Sequence, residues 1–180
     1  VNFEKAYDYV RAYDPSRPIQ YERAIWENGK SEIYCPMYYP YKDCEKYCAK
    51  NDPRPLIQCE YAHAMGNCGG FFKKYWDLIR KIPNYQGGYI WDFVDQGLRG
   101  FNEDGKQIFT YGGDYGRYPA TDHNFNCNGF IRPDREPNPE ANEYRYFMQN
   151  IWTTPVDLKK GLVEVYNEFF FRDISNVRMV

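Results

Sequence analysis

The sequence predicts an α/β fold built from parallel βα units, and two observations carry that expectation. Short apolar runs alternate with amphipathic helical stretches along residues 2–94, the rhythm of strands joined by crossover helices. Glu22, the pair Met37-Tyr38, Glu60 and the stretch Asp92 to Asp95 stand at or just past the ends of the apolar runs. Barrels made of such units place their reactive groups at those strand ends. A chain of 180 residues is long enough for one domain with a core of its own.

The elements follow in order. Phe3, Ala6, Tyr7, Val10 and Tyr13 recur at helical spacing over 2–13, and Asp14-Pro15-Ser16-Arg17-Pro18 stops that helix. Ile19 to Glu22 is a short strand candidate, and 31–37 gives a second around Ile33-Tyr34-Cys35. A helix over 41–50 ends at Asn51-Asp52-Pro53-Arg54-Pro55. Leu56-Ile57-Gln58-Cys59 is a third strand, ending at Glu60. A helix over 69–82 carries Phe72, Tyr75, Trp76 and Ile79 on one face, and Pro83-Asn84 terminates it. Residues 87–94 form a fourth strand. From Asp95 to Pro137 the pattern gives way to irregular loop rich in Gly, Asn and Asp, which at that length is a functional or disordered segment; its aromatic residues argue for order. Asn138-Pro139-Glu140 has the form of a helix start, with Asn as cap and Pro in the first turn, and that helix runs to about Asn150. Thr153-Thr154-Pro155 marks a linker. Residues 162–166 and 169–171 then form a β hairpin that opens a separate all-β domain. The expected division is 1–152 and 153–180.

Composition narrows the function. The net charge is −2 with no basic stripe, so nothing points to nucleic acid. No apolar run nears the ~20 residues of a membrane helix. Aromatic residues make up 19% of the chain, with 19 Tyr and 12 Phe. Rings with polar tips first of all pack cores, and they also stack on sugar faces. The six cysteines form no C-x-x-C pair, so zinc and redox motifs are unsupported and buried reduced thiols are expected. There is no initiator Met and no signal-peptide pattern, so the chain is expected to be an internal piece or a processed product.

Cys59-Glu60-Tyr61-Ala62-His63-Ala64-Met65-Gly66-Asn67 is the most informative stretch. On its own, Glu60 reads first as a carboxylate that caps a loop or pairs with an Arg, and His63 could likewise be a hydrogen-bonded core histidine. The wider pattern adds C-P-M-Y at 35–38, R-P-L-I at 54–57, Q-G-G-Y-I-W-D-F-V-D-Q at 86–96, Y-G-G-D-Y-G at 111–116 and N-G-F-I-R-P-D-R at 128–135. In this order and over nearly the whole chain, these motifs resemble the β-galactosidases of glycoside hydrolase family 2. β-Glucuronidases of the same fold differ around the nucleophile.

The resemblance implies a (β/α)8 TIM barrel, of which this chain supplies about strands five to eight, followed by the start of a β-sandwich domain. It implies Glu60 as the nucleophile of a retaining reaction, and His63, Tyr38, Met37 and Trp91 as substrate-binding residues. Of these, Tyr38 hydrogen-bonds the nucleophile and Trp91 forms the wall for the sugar. Phe125, through its carbonyl, and Asn128 match ligands of a sodium ion that meets the galactose 6-hydroxyl; magnesium has its ligands outside this chain. Expected partners are a β-galactoside, the remaining half of the barrel, the flanking β domains and, in the complete enzyme, further copies of itself. The compartment stays open between cytoplasm and periplasm.

A retaining glycosidase needs two carboxyl groups ~5–5.5 Å apart. The resemblance implies that the acid/base partner lies upstream, in an Asn-Glu pair on barrel strand four. Asn102-Glu103, Asn142-Glu143 and Asn167-Glu168 do not follow an apolar strand ahead of Glu60 and are rejected. The expected result is an enzyme fragment inactive alone. The alternatives are a non-catalytic carbohydrate-binding or structural module, and a plain α/β domain in which Glu60 and His63 are structural.

Overall fold

The computed structural model describes residues 2–22, 24–26, 29–115, 120–178 and 180. Gly116, the last residue of the 111–116 motif, lies outside them.

Helix α1 (Asn2–Tyr13) forms where its spacing predicts, yet none of its residues is buried. Its apolar stripe meets the loop that follows. Phe3 stacks on Tyr21 with ring centroids 4.6 Å apart and meets Trp26 edge-on. Arg11 pairs with Glu32, and Lys30 with Asp8 at 2.5 Å. The strand expected at 19–22 does not form. A backbone bond from Glu32 N–H to Ile19 O (2.9 Å) aligns it with the next segment, but a turn closed by Ala24 N–H on Tyr21 O bends the chain before a ladder can extend. The expected strand at 31–37 is reduced to two parallel bridges, Tyr34 with Leu56 and Met37 with Glu60.

Beside those bridges runs β1 (Leu56–Tyr61), reached through α2 (Tyr41–Cys48). Helix α3 (Phe72–Lys81) then crosses to β2 (Tyr85–Ile90), which pairs parallel with β1. Past β2, Asp92 N–H donates to Asn128 O (2.7 Å), Phe130 N–H to Asp92 O and Ile131 N–H to Phe93 O. Val94 bridges Ile131 in parallel. Segments 34–37, 56–61, 85–94 and 128–131 therefore lie side by side in chain order, all pointing the same way. They do not close into a barrel.

The aromatic residues account for much of the core. Tyr34, Cys44, Tyr47, Leu56, Leu78 and Tyr85 pack between this sheet and α2 and α3, with Tyr34 stacked on Tyr47. Tyr61, Phe72 and Tyr144 form a second cluster under α4 (Ala141–Phe147). Helix α4 is shorter than the expected 138–150. Asn138 does not cap it: the helix begins at Ala141 with Glu140 in the cap position, and the Asn138 side-chain amide donates to Gly129 O at 2.7 Å.

The stretch expected to be irregular contains a hairpin, β3 (Leu98–Phe101) with β4 (Gln107–Thr110). Asn102 to Gly105 is its turn: Asn102 Oδ1 accepts Asp104 N–H and Lys106 N–H, and Gly105 takes φ 75°. A second hairpin pairs β5 (Ile151–Asp157) with β6 (Leu162–Asn167). It begins earlier than predicted. Thr153-Thr154-Pro155, expected as a linker, lies inside β5, and Phe170 and Phe171 lie exposed beyond β6.

All six cysteines are free. Cys35 and Cys44 are buried, and burial pushes each thiol up to about 12. Cys68 and Cys127 are exposed, contrary to the expectation of burial, because both lie in loops. Among the described residues no helix is long and apolar enough to cross a membrane.

Candidate active site

Glu60 is the penultimate residue of β1. In a regular strand it would share the helix-facing side with Leu56 and Gln58, both fully buried. The register against β2 shifts between Gln58 and Tyr61. This irregularity hands the helix side to Tyr61, whose ring lies 5.6 Å from that of Phe72, and leaves Glu60 half-buried toward Tyr38. Strand irregularities often re-aim side chains beside active sites.

Tyr38 follows directly on the Met37–Glu60 bridge, with Met37 partly exposed beside it. Its N–H donates to Glu60 O at 2.8 Å. Its backbone is left-handed (φ 53°), which projects the ring over the strand end, and its hydroxyl donates to Glu60 Oε2 at 2.5 Å. Burial, then the bond to Glu60 and the carboxylate charge, push the phenol well above its ordinary value. Tyr38 thus remains a donor across the whole neutral range.

His63 follows Ala62, another left-handed residue (φ 51°). Its ring lies 5.6 Å from that of Tyr38 and 5.8 Å from that of Phe125. Its Nδ1 accepts a long bond from Met65 N–H (3.4 Å), so in the neutral ring Nε2 carries the proton. Trp91 stands just past β2. Its N–H donates to Tyr61 O (3.2 Å), its carbonyl accepts Ala64 N–H (2.9 Å), and its peptide bond to Asp92 is cis. The indole N–H is buried without a partner among the described residues.

Asn128 is fully buried on the adjacent segment. Its Nδ2 donates to Phe125 O at 2.6 Å, and its Oδ1 has no partner among the described residues. The next residue must be glycine. A Cβ on Gly129 would lie 2.2 Å from Asp95 N and 2.4 Å from Val94 C, and its N–H donates to Asp95 Oδ1 at 2.7 Å. The structure therefore gathers Tyr38, Glu60, His63 and Phe125 at the carboxyl ends of the parallel segments, with Met37, Trp91 and Asn128 on the backbone immediately beside them.

The rejected Asn-Glu pairs sit elsewhere. Glu103 is in the β3–β4 turn. Glu143 accepts Lys73 N–H on the helical side, and Glu168 is paired with Arg80. Asp92, whose charge also acts on Tyr38, has both oxygens engaged, by its neighbour Phe93 N–H and by the Gln96 amide at 3.1 Å. Among the described residues no group of three or more His, Cys, Asp or Glu could hold a metal.

One residue of this neighbourhood escapes motif reading: Gln58, whose only signal is a polar side chain inside an apolar strand two positions before Glu60.

The chain is 40% identical to the β-galactosidase of Aeromonas hydrophila over 96% of its length, 40% to that of Photobacterium profundum over 96%, and 39% to that of Pseudoalteromonas haloplanktis over 99%. It spans 18%, 18% and 19% of those relatives. The family profile described as glycosyl hydrolases family 2, TIM barrel domain, matches residues 1–153. That match over most of its length makes this chain a member of glycosyl hydrolase family 2, within its TIM barrel domain.

Proposed function

We propose that this chain carries the nucleophile side of a retaining β-galactosidase. The observation that bears most weight is the Tyr38 hydroxyl donating to Glu60 Oε2 at 2.5 Å. A phenol held protonated beside the carboxylate favours its charged form, and an ionised, oriented carboxylate is what attack on an anomeric carbon needs. His63, beside Tyr38, and Phe125, its ring 5.8 Å from that of His63, offer a nitrogen and a ring to the sugar. Trp91 supplies an apolar wall for its C–H groups. Relatives named β-galactosidase support a galactoside as the substrate.

Asn128 Oδ1 is a buried acceptor lacking a donor, and Phe125 O, already accepting one bond, keeps a second lone pair. Two neutral oxygens of this kind suit a hard cation. These residues would hold a sodium ion, which when bound supplies a fixed charge for a sugar hydroxyl. Magnesium belongs to ligands outside this chain.

In this reading, segments 34–37, 56–61, 85–94 and 128–131 are about strands five to eight of the barrel. Residues 153–180 open the following β-sandwich, and the acid/base carboxyl comes from the other half. Flanking β domains and further copies of the enzyme complete the assembly. Alone, the chain is expected not to hydrolyse a nitrophenyl β-galactoside. Supplied with the sequence that completes the barrel, it is expected to turn over and to form a 2-deoxy-2-fluorogalactosyl adduct on Glu60, located by peptide mass spectrometry. Robust turnover by the chain alone, or an adduct on another residue, overturns the proposal.

A further inference from the structure

From the geometry around β1 we infer that Gln58 is a positioning residue for the reaction: it holds the Tyr38–Tyr39 turn, and through it the hydroxyl that orients Glu60. The inference rests on the reading of Glu60 as nucleophile.

Gln58 is fully buried among apolar side chains, where an amide is costly unless both its ends are bonded. Both are. Its oxygen accepts Tyr39 N–H at 2.7 Å, and its nitrogen donates to Tyr85 OH at 2.9 Å and lies 3.5 Å from Cys44 Sγ. A backbone N–H can only donate, so the group facing Tyr39 must be the oxygen. The amide is thereby fixed in one orientation between the core and the turn.

Tyr39 is gripped on three sides. Its N–H is held by Gln58, its carbonyl accepts Tyr75 OH at 3.1 Å, and its own hydroxyl bonds Tyr34 OH at 2.9 Å. The residue before it, Tyr38, sits in the left-handed region, which a side chain with a Cβ adopts only when its surroundings impose it. Tyr38 is tied on its other side by its N–H on Glu60 O at 2.8 Å. Gln58 and Glu60 are two residues apart on one strand. The same short stretch therefore supplies the carboxylate and the anchor that aims a donor at it. Releasing Tyr39 N–H lets the turn relax toward ordinary backbone angles and swings the Tyr38 hydroxyl off Glu60, without touching any reacting atom.

The test uses the enzyme assembled from this chain and the sequence that completes its barrel. The readout is the rate of adduct formation by 2-deoxy-2-fluorogalactosyl fluoride, which reports the attack of Glu60 directly. Tyr38→Phe is expected to slow labelling roughly ten- to hundredfold, the scale of a lost hydrogen bond to an ion. Gln58→Leu is expected to slow it about tenfold in wild type and less than twofold in the Tyr38→Phe background, because both act through one bond. Gln58→Glu, buried and therefore protonated, keeps an acceptor for Tyr39 and a donor for Tyr85, and is expected to restore labelling to within about threefold of wild type.

If Gln58→Leu does not fold, Tyr75→Phe removes the grip on the Tyr39 carbonyl from outside β1. It is expected to slow labelling a few fold, again only when Tyr38 is present. Full additivity of Gln58→Leu, or of Tyr75→Phe, with Tyr38→Phe refutes the inference, as does unchanged labelling in both variants. Absence of an adduct on Glu60 in the unmutated enzyme instead refutes the underlying nucleophile reading.

Discussion

Replacing Arg80 by Leu is expected to detach the β5–β6 hairpin from the rest of the chain while leaving β1 and β2 intact. Two-stranded hairpins are at best marginal alone, and this one exposes Val156, Leu158, Leu162 and Tyr166. It is fastened chiefly through Arg80 at the end of α3. The guanidinium donates to both oxygens of Glu168, at 2.7 and 2.9 Å, and to Phe147 O at 2.7 Å. It lies between two indole rings, 4.9 Å from Trp76 and 4.6 Å from Trp152, and Trp152 itself donates to Glu168 at 3.0 Å. The paired side chains are 25% and 20% exposed, so the ion pair is neither dry nor freely solvated. A hydrogen bond to a charged group contributes roughly 1.5–3 kcal/mol and each cation–π contact roughly 0.5–1. These contributions overlap, and solvent screens part of the pair, so about 2 kcal/mol is a fair net loss. That corresponds to roughly a thirtyfold drop in amide protection across β5 and β6. Native-state hydrogen exchange on the 180-residue chain reads it strand by strand. Hairpin protection that stays within about threefold, or falls in step with that of β1 and β2, refutes the reasoning.

Two further outcomes follow from local chemistry. Arg54 and Tyr47 hold the Asp52 carboxyl down at about 2 against an ordinary 3.8, chiefly through the Arg54 side chain. A depressed carboxyl contributes stability that is fully present above pH 3.8 and lost as pH falls toward 2, so Asp52→Asn should flatten the acid limb of a denaturant-midpoint titration in that window and change little of its shape near neutrality. Gly129→Ala places a methyl group 2.2 Å from Asp95 N. It is expected to part the 92–95 and 128–131 segments and to lower stability by about 2 kcal/mol or more in urea unfolding, whereas Gly66→Ala, strained but facing open space, should cost less.

How much was legible in the sequence differs element by element. Helices α1, α2 and α3 follow from their apolar spacing and from the Pro, Asn and Asp breakers behind them, and β1 from a run of apolar residues ending at Glu60. The β3–β4 hairpin was half visible: Asn102 to Gly105 declares a turn, but flanking strands of four residues are too short to announce themselves. The strand at 19–22 and the cap at Asn138 failed for a shared reason. Both turned on contacts outside the local pattern: Ile19 does bond Glu32, but the turn at Tyr21–Ala24 stops the ladder, and the Asn138 side chain bonds Gly129 while the helix starts later, at Ala141.

The same division holds at the candidate site. Residue order alone placed Glu60 at the end of a parallel strand, with Tyr38, His63 and Trp91 in motifs that mark the family. Local periodicity and long motifs survive in one dimension, so the sequence determined them. Strict alternation, however, would have sent Glu60 to the helices. The slipped register with β2 leaves it toward Tyr38, and the buried Gln58 bonds across 19 residues to Tyr39, the residue next to that tyrosine. Which face a strand-end carboxylate takes, and what holds its partner, are settled by contacts between segments far apart in the chain. That is why the tertiary structure decided them.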